Sequence, residues 1–172
     1  MLALSSAKRR SGFTLVELLV VIVIIGILSS LIIPAIVHAL FRVRVTACAH
    51  NQRQLYQLGT VYSSSHKGTW PSLRGEELWL SLHRMVPPLI EENQAEVLAC
   101  PCLQTEIGPD ETHFRGPALP LGKMGATDPL GADKVDNHGP TLGGNVLLRD
   151  GSVQEYEKAH PKWEECATKL AP

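Results

Sequence analysis

From Phe13 to Phe41 the chain reads FTLVELLVVIVIIGILSSLIIPAIVHALF, 29 residues with a single formal charge at Glu17. A bilayer core about 30 Å thick is crossed by roughly 20 apolar helical residues. Leu18 to Val37 supplies twenty, with Ser29 and Ser30 as mild polar members. A core helix this long and uniform would need a much larger soluble domain around it than a chain of 172 residues offers. A secretory signal has an apolar region of only about 7–15 residues and a small-residue cleavage site. No convincing site follows Ser29-Ser30. Arg9-Arg10 resembles a twin-arginine signal only superficially, because the run behind it is too hydrophobic. The segment therefore predicts a membrane-spanning helix, with a plain anchor as the simplest alternative.

Charge sets the expected orientation. Lys8, Arg9 and Arg10 precede the span, and no acid accompanies them. The positive-inside bias then keeps the N-terminus in the cytoplasm and sends the rest across. Arg42 and Arg44 at the far end oppose this, and their stems can snorkel at the outer interface. The expected location is a single-pass protein of the cytoplasmic (inner) membrane with an extracytoplasmic C-terminal domain. From Arg42 onward, thirteen Lys/Arg face sixteen Asp/Glu, a net of −3. That mild acidity gives no electrostatic reason to expect a nucleic-acid partner.

Glu17 is the residue that needs a reason. An acid at the centre of a membrane helix costs roughly 2.5–3.5 kcal/mol, less near its end, and is by default a functional residue with a partner to be named. Arg10, the nearest preceding cation, lies seven residues back. A cut after Gly12 would change this by placing an α-ammonium on Phe13, one turn from Glu17. Between neighbouring subunits the same two charges could neutralise each other and fix an axial register.

The stretch Ser11-Gly12-Phe13-Thr14-Leu15-Val16-Glu17-Leu18-Leu19-Val20-Val21-Ile22, with Gly26 and Pro34 beyond it, resembles the N-terminus of type IV prepilins and type II secretion pseudopilins. The resemblance implies a prepilin peptidase that cuts between Gly12 and Phe13 and N-methylates the new Phe13 amine. It makes Glu17 the carboxylate of processing and assembly, and Pro34 the site of a helix kink. Proline removes one backbone hydrogen bond and crowds the preceding turn, a defect that neighbouring groups can repair in a membrane. The implied domains are a leader at 1–12, a transmembrane helix at 13–41 and a pilin-like head at 42–172. The implied partners are the peptidase, other pseudopilin subunits, a secretion or pilus assembly platform and the membrane. The implied fold is α+β, a long N-terminal helix packed on a small antiparallel sheet. The implied role is structural rather than enzymatic: a pseudopilin of a type II secretion-type pseudopilus. A type IV pilus or DNA-uptake minor pilin, and a non-polymerising anchored binding domain, are the alternatives.

Past the membrane segment, Arg42 to Tyr62 predicts a continuation of the helix, with Leu55, Leu58 and Tyr62 at helical spacing. Ser63-Ser64-Ser65 and Gly68 are expected to end it. Glu76 to Met85 predicts a second helix stopped by Pro87-Pro88, Glu96 to Cys100 a short strand, and Gly108 to Gly144 a long loop. Asp150-Gly151 between apolar-bearing runs predicts a two-residue hairpin turn within Asn145–Glu157. Pro161 to Leu170 predicts a last amphipathic helix with Trp163, Cys166 and Leu170 on one side. Cys48-x-x-Asn51-x-x-Gln54-Leu55, the later Trp70-Pro71 and the Asp-Gly hairpin resemble a pseudopilin-like subgroup with a C-terminal His, nine residues and Asp-Gly. Here eleven residues separate His138 from Asp150.

The cysteines are Cys48, Cys100, Cys102 and Cys166, expected in a compartment where disulfides persist. Four cysteines allow three pairings. The preferred one joins Cys48 to Cys100 or Cys102 and tethers the long helix to the head, since a direct Cys100–Cys102 bridge would close a small strained ring. Cys100 and Cys102 with a histidine form a weaker zinc candidate. Major pseudopilins hold calcium in a C-terminal loop, and Asp128-Pro129-Leu130-Gly131 resembles their turn. Asp128, Asp133 and Asp136 are the calcium candidates on that basis, although EF-hand spacing is absent. No other cofactor is expected. His138, Asp150 and Ser152 could be read as a hydrolase trio, but no nucleophile elbow supports them.

Overall fold

The computed structural model describes residues 13–108, 110–140 and 142–171. The leader, with Gly12, lies outside them. The chain divides into two compact units between Leu40 and Phe41. One helix, α1 (Leu15–Ser65), contributes to both.

In the first unit, residues 15–40 of α1 are helical throughout, and helical turns continue on both sides of Pro34. None of its residues is buried, and its Leu, Ile and Val side chains stand exposed all round. Soluble monomers rarely expose a contiguous apolar patch beyond a few hundred Å². A helix that is apolar on every side needs apolar surroundings. This one is long and apolar enough to cross a membrane.

The second unit is built on the rest of α1. Val45, Cys48, Gln52, Leu55 and Gly59 are buried, a stripe at the three- and four-residue steps of one helix face. The helix runs on to Ser65, three residues past the expected end. The serines are absorbed into its last turns, where the Ser64 and Ser65 hydroxyls bond carbonyls three residues back. Gly68, at φ +80°, ends it with a bond from its N–H to Ser63 O. Helix α2 (Glu77–Arg84) follows, within a residue of its expected bounds.

Five strands form one antiparallel sheet in the order β4-β3-β2-β1-β5. They are β1 (Phe114–Pro117), β2 (Pro129–Asp133), β3 (Leu142–Leu148), β4 (Val153–Glu157) and β5 (Leu170–Ala171). Helix α3 (Pro161–Lys169) lies between β4 and β5 in sequence. Leu55, Leu78, Trp79, Leu82, Phe114, Leu130 and Leu147 belong to one buried cluster. Ala132, Val146, Leu148, Trp163, Cys166 and Leu170 belong to another. Alternation along β3 puts Leu147 in the first and its neighbours in the second, as a two-faced strand requires. A register shift between Pro129 and Gly131 lets β2 serve both clusters, through Leu130 and Ala132.

Four expectations are corrected. Glu92–Leu98 is a 3₁₀ segment, not a strand from Glu96. Its seven residues include Glu92, Gln94, Ala95 and Glu96, which favour helical backbone. The loop expected from Gly108 to Gly144 holds β1, β2 and the start of β3. Two of its glycines, Gly116 and Gly131, are packing residues rather than turn signals. A Cβ on Gly131 would stand 2.8 Å from the Trp79 ring, and one on Gly116 would collide with the Gly75 carbonyl. The hairpin turn has three residues, not two: Leu148 N–H donates to Ser152 O, and Gly151, at φ +86°, donates to Leu148 O. That is the turn-plus-bulge form. The final helix stops at Lys169, because Leu170 and Ala171 pair with Pro117 and Gly116.

Gly116→Ala follows as a test. The backbone of Gly75 cannot swing away as a side chain can, so the substitution should destabilise the head by about 1–3 kcal/mol. The urea midpoint of the full-length protein in detergent would report it.

Candidate functional site

Two places carry chemistry, one in each unit. At the start of α1, Thr14 and Glu17 form a reciprocal pair. The Thr14 N–H donates to Glu17 Oε2 at 2.9 Å and its hydroxyl to the same oxygen at 2.7 Å. The Glu17 N–H points back to Thr14 Oγ1 at 3.3 Å. This is a capping box, with threonine before the first turn and glutamate three residues on. Thr14-x-x-Glu17 is its sequence signature, which a reading of Glu17 as an unpartnered charge passes over. The acid sits in the first turn, where the positive end of the helix dipole favours it. Phe13, directly before the box, is 76% exposed.

The second place lies wholly in the head. Cys48 on α1, Cys100 after the 3₁₀ segment, Asp133 at the end of β2 and His138 in the following turn are all buried. One donor atom from each lies within 4.8 Å of the others. The Cys48 thiol donates to Asp133 Oδ1 at 2.8 Å. His138 Nε2 stands 3.4 Å from both Cys100 Sγ and Asp133 Oδ2. Gln52 Nε2 donates to Asp133 Oδ1 at 3.0 Å, and the Asn145 N–H to Oδ2 at 2.7 Å. His138 Nδ1 is buried with no partner among the described residues.

Burial pushes the Cys48 thiol up to about 12, against the pull of the Cys100 thiol. For Cys100, a hydrogen bond with Cys102 pulls down, but the Cys48 thiol and burial outweigh it and hold the group above the ordinary thiol range. Burial also raises the Asp133 carboxyl, opposed by His138, Cys48, Asn145 and Gln52. Burial would lower His138, but Cys102 and Asp133 more than offset it and raise the imidazole. The carboxyl is thus a hydrogen-bond hub joining α1, β2 and β3.

The structure sorts the remaining candidates. All four cysteines are free thiols here; Cys48 and Cys100 share the cluster, Cys102 adjoins it through Cys100 and His138, and Cys166 lies in the other buried cluster. The three calcium candidates do not converge. Asp128 and Asp133 stand at opposite ends of β2, Asp128 paired with Lys169 at 2.7 Å and Asp133 buried. Asp136 pairs with Lys158 at 2.8 Å. Asp150 accepts from the Ser152 N–H and hydroxyl, a local turn contact, while His138 faces Asp133 and Cys100.

Residues 7–33 match the family model described as the prokaryotic N-terminal methylation motif. That match supports a precursor of the prepilin and pseudopilin type, a class of structural subunits. It spans residues 7–12 ahead of the apolar run and residues 13–33 within it, and stops short of the head. No curated protein and no solved structure matches the chain.

Proposed function

We propose that this chain is a pseudopilin: a structural subunit, not an enzyme, of a type II secretion-type pseudopilus. A prepilin peptidase removes residues 1–12 and methylates the Phe13 amine. The mature protein waits in the cytoplasmic membrane with its head outside, then joins other subunits on an assembly platform. Apolar packing of the exposed α1 surface supplies the cohesion. The Phe13 amine of one subunit neutralises Glu17 of a neighbour and sets the register.

The observation that carries this reading is the methylation motif at 7–33 running into a capped, fully exposed apolar helix start. Glu17 already holds two hydrogen bonds from Thr14. It nevertheless remains an acid beside an apolar stretch, and a neighbour's positive charge would offset that cost. The head's net charge of −3 and its Asp-Gly hairpin favour a secretion-type subunit over a DNA-uptake pilin.

Mass spectrometry of the membrane-extracted protein tests it. In cells with an active prepilin peptidase the mature chain should begin at N-methylated Phe13. A chain that begins at Met1 in those cells sinks the proposal.

A further inference from the structure

We propose that the buried head cluster is a structural zinc site, with Cys48 Sγ, Cys100 Sγ, His138 Nε2 and a carboxylate oxygen of Asp133 as its four ligands. It does not depend on the pseudopilin reading, since all four residues belong to the second unit.

Geometry carries the argument. Zinc takes four ligands in a tetrahedron, with bonds of about 2.0–2.3 Å, which puts donor atoms about 3.3–3.8 Å apart. The four donors here lie within 4.8 Å of one another, and His138 Nε2 stands 3.4 Å from Cys100 Sγ. The donors come from three separate stretches of chain, on α1, after the 3₁₀ segment and at the end of β2 with its following turn, and each is buried. A closed site of this kind is what structural zinc requires.

The donor set selects the metal. Two sulfurs and an imidazole suit a borderline-soft ion and disfavour calcium or magnesium, which take oxygen. The outer groups are in place as well: Gln52 and the Asn145 N–H orient the Asp133 carboxylate, as partners of a metal-binding carboxylate do. A satisfied core histidine would use both ring nitrogens. His138 instead has Nδ1 buried without a partner among the described residues and Nε2 turned to the donors. Loading requires thiolates, so the two thiol protons leave to solvent as the ion enters. The bound ion ties α1 to the end of β2, to the turn after it and to the segment after the 3₁₀ helix.

The test uses the full-length protein in detergent, purified without chelators, with bound metal measured by elemental analysis. The expected content is about one zinc per chain. Cys100→Ser and His138→Gln should each remove it, while Cys166→Ser should leave it unchanged. Should a variant fail to fold, the unaltered protein still decides. After mild chelation it should take up cobalt(II) and develop intense sulfur-to-metal charge-transfer absorption, which zinc abolishes. Absence of both zinc and that absorption overturns the proposal. So does thiol counting on the denatured protein that finds Cys48 bonded to Cys100.

Discussion

Glu17→Gln should abolish oligomers trapped by crosslinking in the membrane while leaving insertion and the Gly12–Phe13 cut intact. Glutamine serves at the third position of a capping box as well as glutamate does. The bonds from Thr14 therefore survive, and only the charge is lost. If Glu17 acted merely as a cap, the glutamine variant would assemble normally. If it neutralises a neighbour's amine, Gln and Val should fail alike. Thr14→Ala makes the converse change. It weakens the cap by about 0.5–2 kcal/mol and keeps the anion, so oligomers should persist. Normal oligomers from Glu17→Gln, together with their loss from Thr14→Ala, would reassign Glu17 to a local role.

Trp79→Ala should be the most damaging single change in the head, at about 3–5 kcal/mol. The Trp79 side chain is 1% exposed and sits in the larger buried cluster with Leu55, Phe114 and Leu130. Its ring occupies the space that glycine leaves at position 131. Its indole N–H donates to Arg115 O at 3.0 Å, joining α2 to β1. Alanine would open a cavity and remove that bond at once. Trp79→Phe separates the two effects: it retains most of the ring volume, and its loss should be about 0.5–1.5 kcal/mol for the missing hydrogen bond. Urea unfolding of the full-length protein, followed by near-UV circular dichroism, distinguishes the variants. A Trp79→Ala protein as stable as the parent would mean that the α2–β1 contact does not exist.

How far the fold can be read from residues depends on how local its causes are. The apolar run, the continuation of α1, the second helix and the Asp-Gly hairpin follow from periodicity and turn chemistry within a few residues. β1 and β2 do not. Phe114-Arg115-Gly116-Pro117 and Pro129-Leu130-Gly131 look like loop. Their glycines make sense only once Gly75 and Trp79 are known to lie against them.

The buried cluster is similar. The sequence pairs Cys48 with Cys100 or Cys102, but Asp133 reads as one loop acid among several. Its partners Cys48 and Gln52 lie 85 and 81 residues away. No local pattern encodes separations of that size. A signal was nonetheless present. Cys48 and Gln52 are one turn apart on the face that also carries Leu55, and a polar residue on a buried stripe asks for a polar partner.

That hub has a mechanical meaning. Cys48 and Gln52 both reach Asp133, Gln52 also reaches Asn145 O, and Asn145 Nδ2 reaches back to Val45 O at 3.1 Å. Sliding α1 by one turn, about 5.4 Å, would set Tyr56 or Cys48 where Gln52 now stands and leave the carboxyl mismatched. Apolar side chains alone would tolerate such slippage far better, since hydrophobic contact is non-directional. The polar key therefore works as a ratchet stop: an axial pull on the helix is passed to the sheet rather than lost as creep between them.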